Sequence, residues 1–303
     1  MSNPSNILLI GGSGFLSGTV ARLAVAQGHK VWAITRGQRP MPKGVTPITA
    51  DRRDTTAFSQ AIESAGIEWD LVIDGIAYDP EHAQQDISVF RNKTPHLIFV
   101  STDFVFNPAH RTFPQTEETD HYLPDGYGGK KRLCELEFLN DDTQDMNWTV
   151  VRPCHIYGPG SKLGCLPKHG RDDHILDRIR SGESLQLVGA GHFLQQPILA
   201  RDLADLMLSM CGNTNTHNQI YCAAGPDIIE SSQYYNIIAD ILGVNHPLIQ
   251  EIPVTDFLTE HPGQLTFCCH RIYSLDKLKE SGAKAPSTPI TQGLKEHVES
   301  LLQ

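Results

Sequence analysis

The chain of 303 residues predicts an α/β fold, a doubly wound parallel sheet followed by a smaller C-terminal lobe. Three observations predict it. Short apolar runs alternate with helix-patterned stretches through the first half. A glycine-rich turn, Gly11-Gly12-Ser13-Gly14, follows the first run directly. Small, hydroxyl-bearing or charged residues recur just after the later runs. Strands alternating with helices imply right-handed crossovers and a parallel sheet. Ligands in such sheets lie beyond the carboxyl ends of the strands.

Each element has its own warrant. Asn6-Ile7-Leu8-Leu9-Ile10 reads as a buried parallel strand. After the glycine turn, Phe15, Leu16, Val20, Leu23 and Ala24 repeat at helical spacing, and Gly28 ends the helix. Lys30-Val31-Trp32-Ala33-Ile34 supplies the second strand, and Asp51 follows a third. Leu71-Val72-Ile73-Asp74, His96-Leu97-Ile98-Phe99-Val100 and Trp148-Thr149-Val150-Val151 supply the fourth, fifth and sixth. Strand, glycine turn and helix together form a dinucleotide-binding unit. Glycines let the backbone approach a pyrophosphate, and the helix N-terminus offers free N–H groups. The fold expected is therefore Rossmann-type. Residues 1–155 form most of the dinucleotide-binding domain. Residues 156–303 form mainly a substrate lobe, with a segment at about 217–224 returning to the sheet.

The cofactor side has several candidates. Gly11, Gly14, Phe15 and Leu16 shape the turn and helix start. An NAD-selective site usually carries an acidic residue at the end of the second strand. This chain has Arg36 there, with Arg39 and Arg52 as possible neighbours. A guanidinium suits a 2′-phosphate, so NADP is the preferred cofactor and NAD the alternative. Asp51 is placed to meet the adenine amino group, Ala77 to pass the cofactor by its backbone, and Pro153 to close its far end.

Tyr127 and Lys131 lie one helical turn apart in Tyr127-Gly128-Gly129-Lys130-Lys131. A free phenol, with a pKa near ~10, is too weakly acidic to act as a base at neutral pH. A nearby ammonium favours the phenolate, so Lys131 is expected to lower the pKa of Tyr127 and also to hold the nicotinamide ribose. Thr102 supplies a hydroxyl that can bond a substrate oxygen in either oxidation state. Thr102, Tyr127 and Lys131 are the candidate catalytic residues.

With these residues in place the chain resembles the extended short-chain dehydrogenase/reductases, in the group named for NAD-dependent epimerases and dehydratases. The resemblance runs nearly end to end. It rests on Gly11-Gly12-Ser13-Gly14-Phe15-Leu16, Asp51-Arg52, Ser101-Thr102-Asp103-Phe104-Val105-Phe106, Tyr127 with Lys131 and Glu135, Arg152-Pro153, Tyr157-Gly158-Pro159, Asp202-Leu203-Ala204 and Ser274-Leu275-Asp276-Lys277. It implies an NAD(P) cofactor, a catalytic Thr102, Tyr127 and Lys131, and a sugar-like substrate undergoing epimerisation or keto reduction. Members often pair through two helices of the large domain, so a homodimer is possible.

The departures refine this. Ser17 stands where the family has its third glycine, and Phe104 where sugar dehydratases carry an acid, which weighs against dehydration. Ser101-Thr102-Asp103-Phe104-Val105-Phe106 is similar instead to the stretch in dTDP-4-dehydrorhamnose reductases. Many nucleotide-sugar members carry a diphosphate-binding arginine near the position of Gln195. A glutamine cannot pair with phosphate as a guanidinium does, which places a nucleotide-linked substrate in question. Arg171, Lys168 and Arg178 are candidates to replace that charge. Asp103, His155, Arg171 and Gln195 are the candidate substrate contacts.

Cys154, His155, Cys165, His169 and His174 fall within about twenty residues but lack the close ligand pairs of a structural zinc site, so no metal is expected. A formal net charge of −10 argues against nucleic acid as the main partner. No apolar run approaches the ~20 residues that cross a membrane. Met1-Ser2-Asn3-Pro4 leads into the first strand without a charged-plus-apolar signal, and seven cysteines lack C-x-x-C spacing. These features predict reduced thiols and a cytoplasmic location. Two rival classes remain: a dinucleotide-binding sensor without turnover, and an RNA-binding relative, since some plastid proteins of related fold bind RNA.

Overall fold

A computed structural model describes residues 4–165 and 167–303. The Met1-Ser2-Asn3 stretch, read above as lacking a signal, lies outside the described residues. Seven parallel strands form the central sheet: β1 (Asn6–Ile10), β2 (Lys30–Thr35), β3 (Val45–Thr49), β4 (Leu71–Asp74), β5 (His96–Val100), β6 (Asn147–Pro153) and β11 (Gln219–Ala223). Their order is β11-β6-β5-β4-β1-β2-β3. Chain order reverses between β1 and β4, which makes the ends of these two strands the crevice where such sheets bind ligands.

The period-two alternation of strand side chains divides the core. Ile7 and Leu9 of β1 face one layer, with α1 (Phe15–Ala26) and α6 (Ala200–Ser209). Leu8 and Ile10 face the other, with α2 (Thr55–Ala65), α3 (Pro80–Phe90) and α4 (Gly126–Asn140). Both faces are covered, which is why the strands read as continuous apolar runs. Local signals set the helix ends. The Asp54 carboxylate caps α2 by accepting the Ala57 N–H, and Gly66 ends it at φ 61°.

The turn after β1 is glycine-dependent in a direct sense. Gly12 has φ 117°, and a Cβ there would stand 2.5 Å from the Ala33 Cβ. No other residue lets α1 start so close to β2.

The remaining segments build the lobe. Short strands pair as β7 (Ile156–Tyr157) with β10 (Ile198–Leu199), β8 (Leu185–Val188) with β13 (Ile249–Ile252), and β9 (Leu194–Gln195) with β12 (Ile229–Glu230). A third apolar cluster joins α5 (Ile175–Arg180), α7 (Ser231–Leu242) and α10 (Ile290–Leu302). Gly243 stops α7 at φ 68°. The chain then returns past the sheet through α8 (Val254–Glu260), with Tyr273 bridging to Gln115 and Arg271 to Gln195, before α9 (Asp276–Glu280). Among the described residues no helix is long and apolar enough to cross a membrane.

Candidate functional site

Two adjoining cavities open at the carboxyl ends of the strands. The first, about 500 Å³, runs along the glycine turn and is lined by Gly11, Ser13, Gly14, Ser17, Arg36 and Asp51 among others. Phe15 and Leu16 open onto its inner extension beside Gly75 and Tyr78. The second, about 370 Å³, holds Thr102, Tyr127, Lys131, Pro153, His155 and Arg171. Both volumes fall in the ~300–1,000 Å³ range of small-molecule sites.

The first cavity fits a dinucleotide. Its floor is the close-approach turn at Gly12, and α1 points its N-terminus into it. Ser17 stands in the place of the third glycine. Its Oγ lies 3.2 Å from the Gly14 nitrogen and accepts that N–H. Arg36 and Arg39 line the outer end with Asp51. The Asp51 carboxylate accepts from the Arg53 guanidinium at 2.7 Å, and this bonding, aided by the nearby Arg36 charge, holds it down to about 2.

Two cofactor assignments need correcting. The Arg52 head is buried, donating to Asp74 at 2.7 Å and Asp86 at 2.9 Å. Arg52 does line the first cavity, but its guanidinium is committed to these carboxylates and not free for a 2′-phosphate. Asp74 also accepts the Ile76 and Ala77 N–H groups at 2.6 and 3.0 Å, so the triad shapes the exit from β4. Burial, with Asp74 beside it, pushes Asp86 well above the carboxylate range. Ala77 is wholly buried and lines neither cavity; its neighbours Ile76 and Tyr78 do. Tyr78, 48 % exposed, faces both cavities. The sequence reading missed it by one position.

The second cavity is assembled by glycines. A Cβ at Gly128 would stand 1.9 Å from the Phe104 carbonyl oxygen, and one at Gly129 would stand 2.8 Å from the Pro124 carbonyl carbon. Gly128 lets the first turn of α4 seat on Phe104, Gly129 lets it seat on the Leu123–Pro124 backbone, and together they bring Tyr127 beside Thr102. Half of Tyr127 faces the open cleft. Burial of the remainder pushes its phenol up to about 12, with Tyr78 and Asp103 adding to the rise, while Thr102 and Arg171 pull it down.

Lys131 departs from expectation. Its ammonium donates to the Ala77 and Val100 carbonyls at 2.8 and 2.6 Å and lies 4.4 Å from the centre of the Phe99 ring. Burial lowers it to about 8. The expected Lys131–Tyr127 link is replaced by a lysine that ties the ends of β4 and β5 together. Lys130 is at the surface, bonded to Asp79 at 2.7 Å.

The four substrate candidates divide. His155 and Arg171 line the cleft. Burial, then Arg271 and Arg171, drives His155 down to about 3, so it is neutral near pH 7. Asp103 also reaches the cleft, but its carboxylate is taken by Arg271 at 2.7 Å and by the Tyr273 hydroxyl. Burial alone would raise it; Arg271 and Arg111 hold it below the usual range. Gln195 is buried in β9 and lines neither cavity. Its bridge partner Arg271 comes into the cleft instead. That arginine comes from a segment about 75 residues further on, with no local signal to connect it. Of the other cations considered, Arg178 pairs with Asp172 at 3.5 Å and with Glu183, and Lys168 lines a separate small pocket.

Behind the cleft, Arg152 and Ser101 converge on buried Glu135, with Arg152 donating at 2.7 and 2.9 Å and Ser101 at 2.6 Å. The Cys154 thiol donates to the Gln196 carbonyl, and His169 pairs with Asp172 at 3.0 Å. Among the described residues no three His, Cys, Asp or Glu side chains converge as a metal cage.

A doubly wound sheet with a glycine-lined crevice and an adjoining lobe cleft defines a dinucleotide-binding α/β protein. Residues 7–224 match the NAD dependent epimerase/dehydratase family, and the chain belongs to that family. It is similar to 2-alkyl-3-oxoalkanoate reductase of Stenotrophomonas maltophilia, at 26 % identity over 95 % of this chain and 97 % of that one. It is also similar to the chloroplast stem-loop binding protein of 41 kDa b of Arabidopsis thaliana, at 24 % identity over 74 % of this chain. That match spans only 60 % of the Arabidopsis protein. The UDP-N-acetylglucosamine 4-epimerase of Methanobrevibacter ruminantium shares the fold, with a TM-score of 0.79 over 99 % of both chains at 18 % identity.

Proposed function

We propose that the protein is an NAD(P)-dependent oxidoreductase of the sugar epimerase/dehydratase type. It exchanges hydride with a secondary hydroxyl or keto carbon of a sugar-like substrate. The observation that carries this is the meeting of Thr102 and Tyr127 in a cleft continuous with the glycine-turn cavity. When bound there, the nicotinamide accepts or supplies the hydride. The protein supplies the rest. Tyr127 passes the hydroxyl proton, Thr102 orients the substrate oxygen by a hydrogen bond, and Lys131 braces the floor on which both stand. Burial disfavours the phenolate form of Tyr127. Thr102 and Arg171 are the neighbours that draw it back toward the phenolate.

Net keto reduction is the form of the reaction that the cleft favours over dehydration. Phe104 presents no acid; its ring packs edge-on to Phe267 at 5.1 Å and lies under Arg271 at 4.7 Å. Arg36, facing the outer cavity without an acidic residue at the end of β2, supports NADP over NAD. The substrate lobe is drawn mainly from residues 156–303, with α6, β11 and α9 packed on the sheet instead. A homodimer through α4, which exposes Leu133 and Leu139, and a cytoplasmic location complete the reading.

The test is spectrophotometric. The enzyme is incubated with 4-keto and 4-hydroxy sugars, free and nucleotide-linked, and the reduced nicotinamide is followed. Stoichiometric oxidation marks a reductase. Inversion of a hydroxy sugar with hydrogen retained and no net absorbance change marks an epimerase. Tight dinucleotide binding with neither signal would defeat the proposal in favour of a sensor. The stem-loop binding named for the Arabidopsis relative suggests a different role, and the acidic net charge of −10 weighs against it. Salt-dependent RNA binding in a gel-shift assay would reverse that judgement.

A further inference from the structure

Arg171 stands where the two cavities meet. It lines the cleft with Tyr127 and His155, and it lines the inner extension with Phe15, Leu16 and Tyr78. Among the described residues its guanidinium forms none of the ion pairs that hold Arg52, Arg152, Arg178 and Arg271. The other cations of the cleft wall are compensated. Arg271 is neutralised by Asp103, Lys162 by Asp173, and Lys131 is held by two carbonyls.

Its backbone is as unusual as its charge. Arg171 has φ 58°, a left-handed conformation that arginine rarely adopts. The fold imposes it from both sides. Gly164 packs so tightly that a Cβ there would stand 1.6 Å from the His169 carbonyl oxygen and 3.2 Å from the Arg171 nitrogen. Next in sequence, Asp172 donates its N–H to the Leu163 carbonyl at 2.9 Å. Its carboxylate accepts from His169 at 3.0 Å and from the His174 N–H at 2.9 Å. A strained, exposed, unpaired guanidinium held at a cavity junction suits ligand binding better than folding.

We propose that Arg171 is an anion-binding residue that takes a phosphate group of a bound ligand at this junction. The inference rests on the reading that the two cavities hold a dinucleotide and its substrate. The phosphate is either the cofactor's pyrophosphate, reached through the extension beside Phe15, or a phosphate carried by the substrate. In the second case Arg171 supplies the charge absent at Gln195. In either case the ligand anion draws the guanidinium to a fixed place beside Tyr127, so ligand binding and the protonation of the phenol become linked.

Two titrations test this, on the wild-type chain, Arg171→Gly and Arg171→Lys. NAD(H) and NADP(H) are titrated onto each protein by calorimetry, and uridine diphosphate is titrated onto each protein–dinucleotide complex. Glycine accepts φ 58° freely, so Arg171→Gly should melt no lower than wild type, which separates lost binding from lost folding. We expect its affinity to fall about tenfold or more in one arm, with lysine intermediate because it keeps the charge but not the fork. Loss of dinucleotide affinity assigns the phosphate to the cofactor. Loss of uridine diphosphate alone assigns it to the substrate. If Arg171→Gly changes dinucleotide affinity by less than about twofold and does not alter uridine diphosphate uptake, or wild type takes up none, the inference is overturned. Failure of every sugar to turn over, with Arg171→Gly still weakening binding, would sink the proposed reaction and leave the anion site standing.

Discussion

Gly128 offers the sharpest test of how the site is held. An alanine Cβ at this position would stand 1.9 Å from the Phe104 carbonyl oxygen and 2.6 Å from its carbon. Ordinary contact begins near 3.4 Å, so α4 and the Thr102–Phe104 segment must part by 3.4 − 1.9 = 1.5 Å. The obstructing atom is backbone, so no rotamer change relieves it. The shift falls on the residue next to Tyr127 and separates the phenol from Thr102. A misplacement of about 1 Å costs roughly 100-fold in rate, about 2.7 kcal/mol of barrier. The stability cost is smaller. Overpacking costs ~1–3 kcal/mol, and replacing a helical glycine by alanine returns up to ~1 kcal/mol. We therefore expect Gly128→Ala to lose about two orders of magnitude in kcat while remaining folded. Its dinucleotide affinity should hold, because the glycine turn is untouched. The assay is turnover of the active sugar, paired with calorimetric binding and thermal melting. Gly66→Ala is the control: it strains a cap at φ 61° with nothing within 4 Å, and should lower Tm but not kcat. A Gly128→Ala enzyme turning over within about threefold of wild type would refute the claim that this close approach sets the geometry.

Three further outcomes follow from the same contacts. Tyr127→Phe should reduce turnover by at least about 100-fold with dinucleotide affinity unchanged, since the phenol handles the proton and not the phosphates; single-turnover kinetics and calorimetry decide it. Arg36→Ala should remove a several-fold preference for NADP while leaving NAD binding nearly intact, and equal affinities in the wild type would dismiss the preference. His96 is buried, bonded to Thr149 at 2.7 Å, and lowered by burial and by His217 to about 3. Its folded pKa lies below its unfolded value of 6.5, so the unfolded chain takes the proton first and stability falls as pH drops from about 6.5 towards 3. The slope is roughly 1.4 kcal/mol per pH unit. Urea midpoints at pH 7 and pH 5 should converge in His96→Gln relative to wild type.

Some of this was legible in the sequence because its causes are local. The β1–turn–α1 unit announces itself by an apolar run, glycines and a 3.6-residue repeat, all within about 20 residues. The seven-stranded sheet followed from repetition of that signal. The adjacency of Tyr127 and Thr102 was readable only as a spacing on one side and a strand end on the other; what joins them is Gly128, whose meaning lies in a backbone contact. The misreadings have one physical origin. Arg52 and Ala77 sit after the strand ends that sequence position predicts and Lys131 one helical turn from Tyr127, but sequence does not tell which way a side chain turns. Arg52 turned inward to Asp74 and Asp86, and Lys131 turned to two carbonyls exposed by the strand exits. Gln195 was the right place with the wrong residue. The return segment bridged to it carries Arg271, and a long-range pairing leaves no periodicity to read.

Asp103 then explains why the lobe and the sheet act as one site. It follows Thr102 in sequence, so any movement of one is passed to the other. Its carboxylate is bound by Arg271 and Tyr273, and its carbonyl accepts from Arg111, which in turn donates to the Tyr273 hydroxyl. All three partners come from outside the short 3-10 turn Asp103–Val105 that carries it, and two belong to the C-terminal return segment. A buried, compensated cluster of this kind contributes little net stability against an apolar substitute, and its value is in fixing register. Here the register is that of the substrate lobe on the strand ends. The same arginine that anchors the lobe lies over the Phe104 ring, and Phe104 carries the carbonyl against which Gly128 seats α4. Thr102, Tyr127 and the lobe wall are thus positioned by one continuous set of contacts. A change in the C-terminal return segment reaches the phenol through three residues of the cleft wall, Arg271, Asp103 and Phe104.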